Sequence, residues 1–163
     1  MSKVRIGIVG IGNMGSGHSQ QLLAGKISRM ELPAVADTDP AKLKRVPQVK
    51  GFASADEMIA SGLIDAILVS TPHYDHTTIG IKALKAGLHV LIEKPISVHR
   101  ADCERLIAAH TNKKQVFAAM FNQRTDHYYI KIRDLIRSGE LGEIRRVNWI
   151  ITNWFRTEYY YAS

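Results

Sequence analysis

Val4-Arg5-Ile6-Gly7-Ile8-Val9-Gly10-Ile11-Gly12-Asn13-Met14-Gly15 runs a short apolar strand into Gly-x-Gly-x-x-Gly and then into a helix-like segment. Each glycine has a physical task in such a turn. The first lets the chain leave the strand sharply, the second lets backbone come close to a pyrophosphate, and the third lets the helix pack on the strand. The helix N-terminus then points free N–H groups at the phosphates. Glycine spacing alone is a weak signal. Here a strand precedes it, and Asp37 ends the next apolar run at about the 20-residue spacing where an acid holds a ribose 2′-hydroxyl. The plainer alternative is a glycine turn that packs a helix on a strand and binds nothing. Strand, glycines and acid together favour a dinucleotide.

Outward from that turn, the pattern alternates. Residues 16–24 predict a first helix, closed by Gly25 at the position past its end. Residues 31–37 predict a second strand with Pro33 near its start. Asp39 and Pro40 open a short helix as N-cap and first helical residue, and residues 49–53 form a brief third strand. Ser54 and Glu57 have the capping-box spacing, and the helix they start stops at Gly62. Residues 64–71 are nearly continuous apolar, as a strand covered on both faces should be. A helix over 75–86 ends at Gly87, and residues 89–92 form another buried strand. Ser97 is expected to cap a helix reaching His110, with Leu106 and Ile107 inward, and residues 115–120 form a sixth strand. Strands alternating with helices require a parallel sheet with right-handed crossovers. Residues 1–122 therefore predict a Rossmann-type, doubly wound α/β domain.

The pattern changes after residue 122. Residues 125–138 predict a helix closed by Gly139, and residues 143–155 predict one long strand with no helix after it. A lone strand needs partners for its apolar face and its edge hydrogen bonds. Trp149, Ile151, Trp154 and the tyrosines at 159–161 therefore look like the start of a second domain, residues 123–163, whose remainder is not in the chain.

Composition excludes several classes. The 163 residues carry 45% hydrophobic and 23% charged side chains, ordinary for a globular domain. No apolar run approaches the roughly 20 residues that span a bilayer, and Met1-Ser2-Lys3 leads into a strand rather than a signal peptide. Cys103 is the only cysteine, so neither a disulfide framework nor a multi-cysteine zinc site is available. These points place the chain in the cytoplasm, with Cys103 buried and inert on a helix. The net charge of +7 raises the question of nucleic acid. Its bases, however, are spread along the chain and interleaved with acids, the longest basic run being a doublet. Such a field suits an anionic cofactor and needs no polynucleotide.

Three segments follow strands at the carboxyl edge, where open α/β sheets bind ligands. Glu93-Lys94-Pro95 is the first. A lysine there can reach a nicotinamide ribose and a substrate hydroxyl, and its charge favours a developing alkoxide. An exposed turn lysine is the competing reading, and Pro95 is a position where a cis bond is affordable. Ser70-Thr71-Pro72-His73-Tyr74-Asp75-His76 is the second, with hydroxyls and backbone able to line the cleft. His73 and His76 lack the further ligands of a zinc pattern, so no metal is expected, and a loop histidine at a helix start is the plainer account of His76. Asn122-Gln123-Arg124 is the third, with Arg124 readable as an ion-pair partner. His18, His89, His99, His110 and His127 receive no role.

Taken in order, Gly10 to Gly15, Ala36-Asp37-Thr38-Asp39, Ser70-Thr71-Pro72 with His76, Glu93-Lys94-Pro95, Phe121-Asn122-Gln123-Arg124 and Gly139-Glu140-Leu141-Gly142-Glu143-Ile144 resemble the glucose–fructose oxidoreductase / inositol dehydrogenase (Gfo/Idh/MocA) family of NAD(P)-dependent oxidoreductases. The resemblance covers essentially the whole chain, and Glu-Lys-Pro in its place is the specific part. It implies a Rossmann domain followed by an α/β domain with a mostly antiparallel sheet that often makes a homo-oligomer interface. It also implies hydride transfer between nicotinamide and a secondary alcohol of a sugar or cyclitol. Lys94 becomes the catalytic lysine, which also helps hold the cofactor, and Glu93 contacts the nicotinamide side. Gly10, Ile11, Gly12, Asn13, Met14 and Gly15 hold the pyrophosphate, and Asp37 holds the adenine ribose and repels a 2′-phosphate, favouring NAD over NADP. Ser70, Thr71, Pro72, His76 and Asn122 line the cofactor. The family's further catalytic residues, commonly an Asp and a His, belong to the second domain and have no counterpart here. Two other readings stay open: a non-catalytic NAD-binding regulator of the same fold, and an NAD-dependent glycoside hydrolase.

Overall fold

Strand β1 (Val4–Val9) forms at the centre of a parallel sheet because its residues from Ile6 onward are buried. The structure is a computed structural model and describes residues 2–152, 155–158 and 161. It divides into two compact units, Met1–Phe121 and Asn122–Ser163.

In the first unit, helix α1 (Asn13–Leu23) follows β1, then β2 (Met30–Glu31), β3 (Ala34–Ala36) and α2 (Pro40–Leu43). Strand β4 (Lys50–Phe52), α3 (Ala55–Ala60) and β5 (Ala66–Val69) come next, followed by α4 (His76–Lys85), β6 (His89–Glu93), α5 (Arg100–Ala109) and β7 (Phe117–Met120). The sheet order is β4-β3-β1-β5-β6-β7, with the short β2 also paired to β1. Every pairing is parallel. This is the order of a doubly wound dinucleotide-binding sheet, with its direction reversing between β1 and β5.

Alternating residues of the central strands build one core on each face, since successive strand side chains point to opposite sides. Ile67, Val69, Val90 and Ile92 pack with Met58, Ala83, Leu84 and Leu106 of α3, α4 and α5. Ile6, Ile8, Ala66 and Leu68 pack with Leu22 of α1 and with Leu32, Val35 and Val46. Gly7 belongs to this packing, because a Cβ there would lie 2.9 Å from the Met58 Cε and Sδ atoms.

Local chemistry sets most element ends as expected. The Asp39 side chain accepts from Ala41 N and caps α2, with Pro40 as its first residue. Ser54 accepts from Glu57 N and caps α3, and Glu57 reaches back to Ala53 N. Five expectations change. The strand predicted over 31–37 is split, because Pro33 has no N–H to give the ladder, so β2 and β3 flank it as separate pieces. Helix α1 starts at Asn13 rather than Ser16, directly from the glycine turn. Ser97 does not cap α5: His99 occupies that position without a side-chain bond, while the buried Ser97 Oγ accepts from the Thr77 hydroxyl at 2.8 Å. On α5, Leu106 faces inward but Ile107 is 56% exposed, and Cys103 is free and only half-buried.

The second unit holds a 3-10 turn (Asn122–Thr125) and α6 (His127–Arg137), capped by the Asp126 side chain on Tyr128 N. Gly139 follows its C-terminal cap at Ser138. The long strand predicted over 143–155 is absent among the described residues, since 143–152 form no ladder. Strand geometry needs a hydrogen-bonded neighbour, and an apolar run alone does not supply one. Within this unit the Tyr129 and Trp149 rings meet edge-on at 6.0 Å. Trp154, Tyr159 and Tyr160 lie outside the described residues.

Candidate functional site

Four strand ends stand in register. Val9 is paired with Ala36 on one side and with Val69 on the other, and Val69 is paired with Ile92. The residues that follow, Gly10, Asp37, Ser70 and Glu93, therefore share the carboxyl edge of the sheet at the reversal of strand order. Segments 27 to 83 residues from Gly10 in sequence thus meet only through strand pairing.

Gly10 has φ +87°, and a Cβ on it would lie 2.7 Å from the Ser70 carbonyl and from Thr71 N. The glycine turn thus rests on the backbone leaving β5. A Cβ on Gly15 would collide with the Gly10 carbonyl oxygen, which is how α1 comes close to β1. Gly12 differs, for nothing lies within 4 Å of a Cβ built there. Its open side is the space that a phosphate group needs. No side chain caps α1 at Gly12 and no acid lies in its first turn, so the first N–H groups of the helix are available to an anion. Asn13 and Met14 form that first turn, with Met14 50% exposed.

Asp37 is 8% exposed, and its carboxylate organises the turn beside it. Oδ2 accepts from Ile11 N at 2.7 Å and Oδ1 accepts from Asp39 N at 2.9 Å. The Lys42 ammonium stands 3.7 Å from Oδ1. The same acid expected to hold a ribose therefore also ties the glycine turn to the end of β3.

Beyond β5, the Ser70 Oγ and Thr71 Oγ1 atoms are buried and have no partner among the described residues. Orphaned polar atoms are uncommon in a folded interior, and at this edge they fit a polar ligand laid against the β5 exit. With the open Gly12 face and the uncapped helix, they make a site whose residues suit a dinucleotide. Pro72 is exposed and leads into a 3-10 turn, His73–Asp75.

His76 is fully buried, and its ring joins two of the edge segments. Nδ1 lies 2.9 Å from the Pro95 carbonyl and Nε2 lies 3.0 Å from the Thr71 carbonyl. With both nitrogens engaged by backbone, His76 shapes the edge from behind and offers no ring nitrogen to it. The adjacent His73 ring is 5.5 Å away, centroid to centroid. Partial burial first, and then repulsion from His76 and Lys94, hold His73 below the usual histidine range.

Glu93 ends β6 almost fully buried, while Lys94 beyond it is exposed, and the Lys94–Pro95 bond is cis. The Lys94 side chain makes no hydrogen bond or ion pair with the described residues and is free to meet a ligand. Glu93 Oε1 lies 2.7 Å from His18 Nε2 of α1, and Oε2 accepts from Lys94 N at 3.2 Å. His18 is the residue sequence reasoning missed. It stands 75 positions from Glu93, and nothing in one sequence links the two. Asn122 opens the second unit, where its carbonyl accepts from the Thr125 hydroxyl at 2.8 Å. Among the described residues no group of three or more His, Cys, Asp or Glu side chains could hold a metal ion, and no helix is long and apolar enough to cross a membrane.

Sheet order, glycine turn and edge acid define a dinucleotide-binding Rossmann domain. Residues 4–121 match the Gfo/Idh/MocA family, described as an oxidoreductase family with an NAD-binding Rossmann fold. The inositol 2-dehydrogenase of Salmonella paratyphi B is 32% identical over 146 residues, covering 86% of this chain and 43% of that protein. The crystal structure of myo-inositol 2-dehydrogenase from Lactobacillus plantarum superposes with a TM-score of 0.83 at 27% identity, over 88% of this chain and 43% of that one. Scyllo-inositol dehydrogenase from Lactobacillus casei, with bound NAD(H) and scyllo-inositol, gives a TM-score of 0.80 at 31% identity, over 87% and 43%. The chain belongs to the Gfo/Idh/MocA oxidoreductase family and spans less than half the length of these relatives.

Proposed function

We propose that this chain is the cofactor-binding part of an NAD-dependent dehydrogenase that oxidises a secondary hydroxyl of a sugar or cyclic polyol of the inositol type. The observation that carries the reading is Lys94, exposed directly after the buried Glu93 at the end of β6. Bound NAD supplies the hydride acceptor. The chain's own residues bind and orient. The α1 N-terminus and the Gly10–Gly15 turn hold the pyrophosphate, and Asp37 takes the adenine ribose. Ser70 and Thr71 line the cleft between them, with Pro72 at its margin, and the family resemblance adds Asn122 to the cofactor-binding set. His76 braces Thr71 and Pro95 behind it. Lys94 orients the substrate hydroxyl and stabilises the oxygen as its proton leaves. Asp37 favours NAD, since its carboxylate repels a 2′-phosphate. Residues 123–163 begin the substrate domain, which by family resemblance would carry the remaining catalytic groups and the homo-oligomer interface.

The names of the relatives support an inositol-like substrate. The test has two stages. Calorimetric titration of this chain with NAD should show one site per chain. The complete gene product should then form NADH steadily when given myo- or scyllo-inositol. Tight NAD binding without turnover on any polyol would favour a regulator, and glycoside cleavage without net NADH would favour a hydrolase.

A further inference from the structure

His18 projects from α1, and Glu93 ends a strand two places from β1 in the sheet. Their contact therefore spans β5 and ties the helix that starts at the glycine turn to the strand that delivers Lys94. The geometry is that of a close pair, at 2.7 Å, with side-chain exposures of 24% for His18 and 6% for Glu93. When the ring is protonated, the contact is an ion pair. The second carboxylate oxygen accepts from Lys94 N. A carboxylate this buried needs such partners, because an ionised group left without them in a poorly solvated site is strongly unfavourable.

We propose that His18 is a positioning residue that holds the Glu93 carboxylate at the nicotinamide end of the crevice and so sets the site's preference between oxidised and reduced cofactor. The inference rests on the dinucleotide reading above. Glu93 belongs to the β5–β7 half of the sheet, opposite the half that carries the glycine turn and Asp37. In a doubly wound fold each half takes one mononucleotide, which places the nicotinamide on the Glu93 side. The oxidised nicotinamide ring carries a positive charge that the reduced ring lacks. A fixed, poorly solvated carboxylate nearby favours the oxidised form, and weak screening enlarges the difference. Without His18 the carboxylate loses the partner that fixes Oε1 and is free to turn out to water. That movement takes the negative charge away from the edge and frees the Lys94 N–H.

Calorimetric titration with NAD⁺ and with NADH tests this in the unsubstituted chain, His18→Gln, His18→Leu, Glu93→Gln and the His18→Leu/Glu93→Gln double variant. The quantity read is the ratio of the two dissociation constants, so a general loss of binding cancels. Glu93→Gln and His18→Leu should each shift that ratio toward NADH by about threefold or more. The double variant should go no further than Glu93→Gln alone, because the two residues act as one unit. Gln places an amide nitrogen at the reach of Nε2, so His18→Gln should stay within about twofold of the unsubstituted ratio. Should His18→Leu fail to fold, His18→Asn takes its place, because its amide is too short to reach Glu93. An unchanged ratio in the His18 loss variant, or an additive double variant, overturns the role of His18 while leaving the dinucleotide reading intact. Failure of the unsubstituted chain to bind either form overturns both.

Discussion

Asp37, proposed to take the adenine ribose, also organises the turn beside it. Its two oxygens already accept from Ile11 N and Asp39 N, and Lys42 lies beside it. Asp37→Ala should therefore act twice. Loss of charge-assisted hydrogen bonds should weaken NAD binding about tenfold or more. The NAD/NADP affinity ratio should also fall, since the repulsion of a 2′-phosphate disappears and Lys42 loses its carboxylate neighbour. Parallel titrations with both cofactors check this, and an unchanged ratio removes Asp37 from cofactor choice. Lys94 is simpler, because its side chain makes no hydrogen bond or ion pair with the described residues. In the complete gene product, Lys94→Met should lower turnover by about 100-fold or more, the scale of losing one charge-stabilising group. NAD binding should change far less, and near-normal turnover would take Lys94 out of the chemistry. The motif at Gly10–Gly15, Asp37 and Lys94 was legible in the sequence because each follows a strand that its own apolar pattern reveals. The His18–Glu93 contact was not legible, since strand order creates it.

At the level of elements, the segment after β5 and the segment after β6 are held together by one histidine. His76 engages the Thr71 and Pro95 carbonyls from a fully buried position. The His76→Leu variant would remove the ring N–H that donates to one of these carbonyls, and a carbonyl left without its donor costs about 1–3 kcal/mol. Urea unfolding of the chain should show a loss of at least about 1 kcal/mol. A change below about 0.5 kcal/mol would mean that water or backbone movement replaces the ring at little cost. The neighbouring Thr77–Ser97 hydroxyl bond draws the same two regions together. That bond also explains the failed expectation at Ser97. A serine shortly before a helix reads as an N-cap, but a buried hydroxyl on α4 engages it instead. Pro33 shows the opposite case, in which local chemistry breaks a strand that apolar pattern alone would continue.

At the level of the whole molecule, folding closes contacts whose protonation makes stability depend on pH. Arg5 at the start of β1 meets Asp65 just before β5, its side chain and its backbone N–H both donating to the carboxylate. The side-chain bond first and the backbone bond next hold Asp65 below the usual carboxylate range, and the same pairing raises Arg5. A depressed carboxyl stabilises the fold above its unfolded value, near 3.9, and the contribution is lost as pH falls through the lower folded value. His73 is also depressed, so the unfolded chain takes its proton first, and stability falls as pH drops through about 6.5. The urea midpoint should therefore decline in two stages on acidification. His73→Gln should flatten the upper stage and Asp65→Asn the lower, with the Asp65 effect shrinking in salt because both partners are 41% exposed. Coincident pH profiles for the three proteins would refute the assignment.

The sequence by itself determined the alternation of strands and helices, the glycine turn, the helix caps at Asp39 and Ser54 and the acid at the end of the second apolar run. Those features are local, written in hydrophobic period, capping chemistry and φ requirements within a few residues. Tertiary structure alone decided which strand ends share an edge, that His18 reaches Glu93, that His76 braces from behind, and that the Ser70 and Thr71 hydroxyls find no partner among the described residues. It also decided that residues 143–152 form no strand, because a strand exists only through the neighbour it pairs with. Contacts between residues far apart in the chain depend on sheet order and register, and no single segment encodes either.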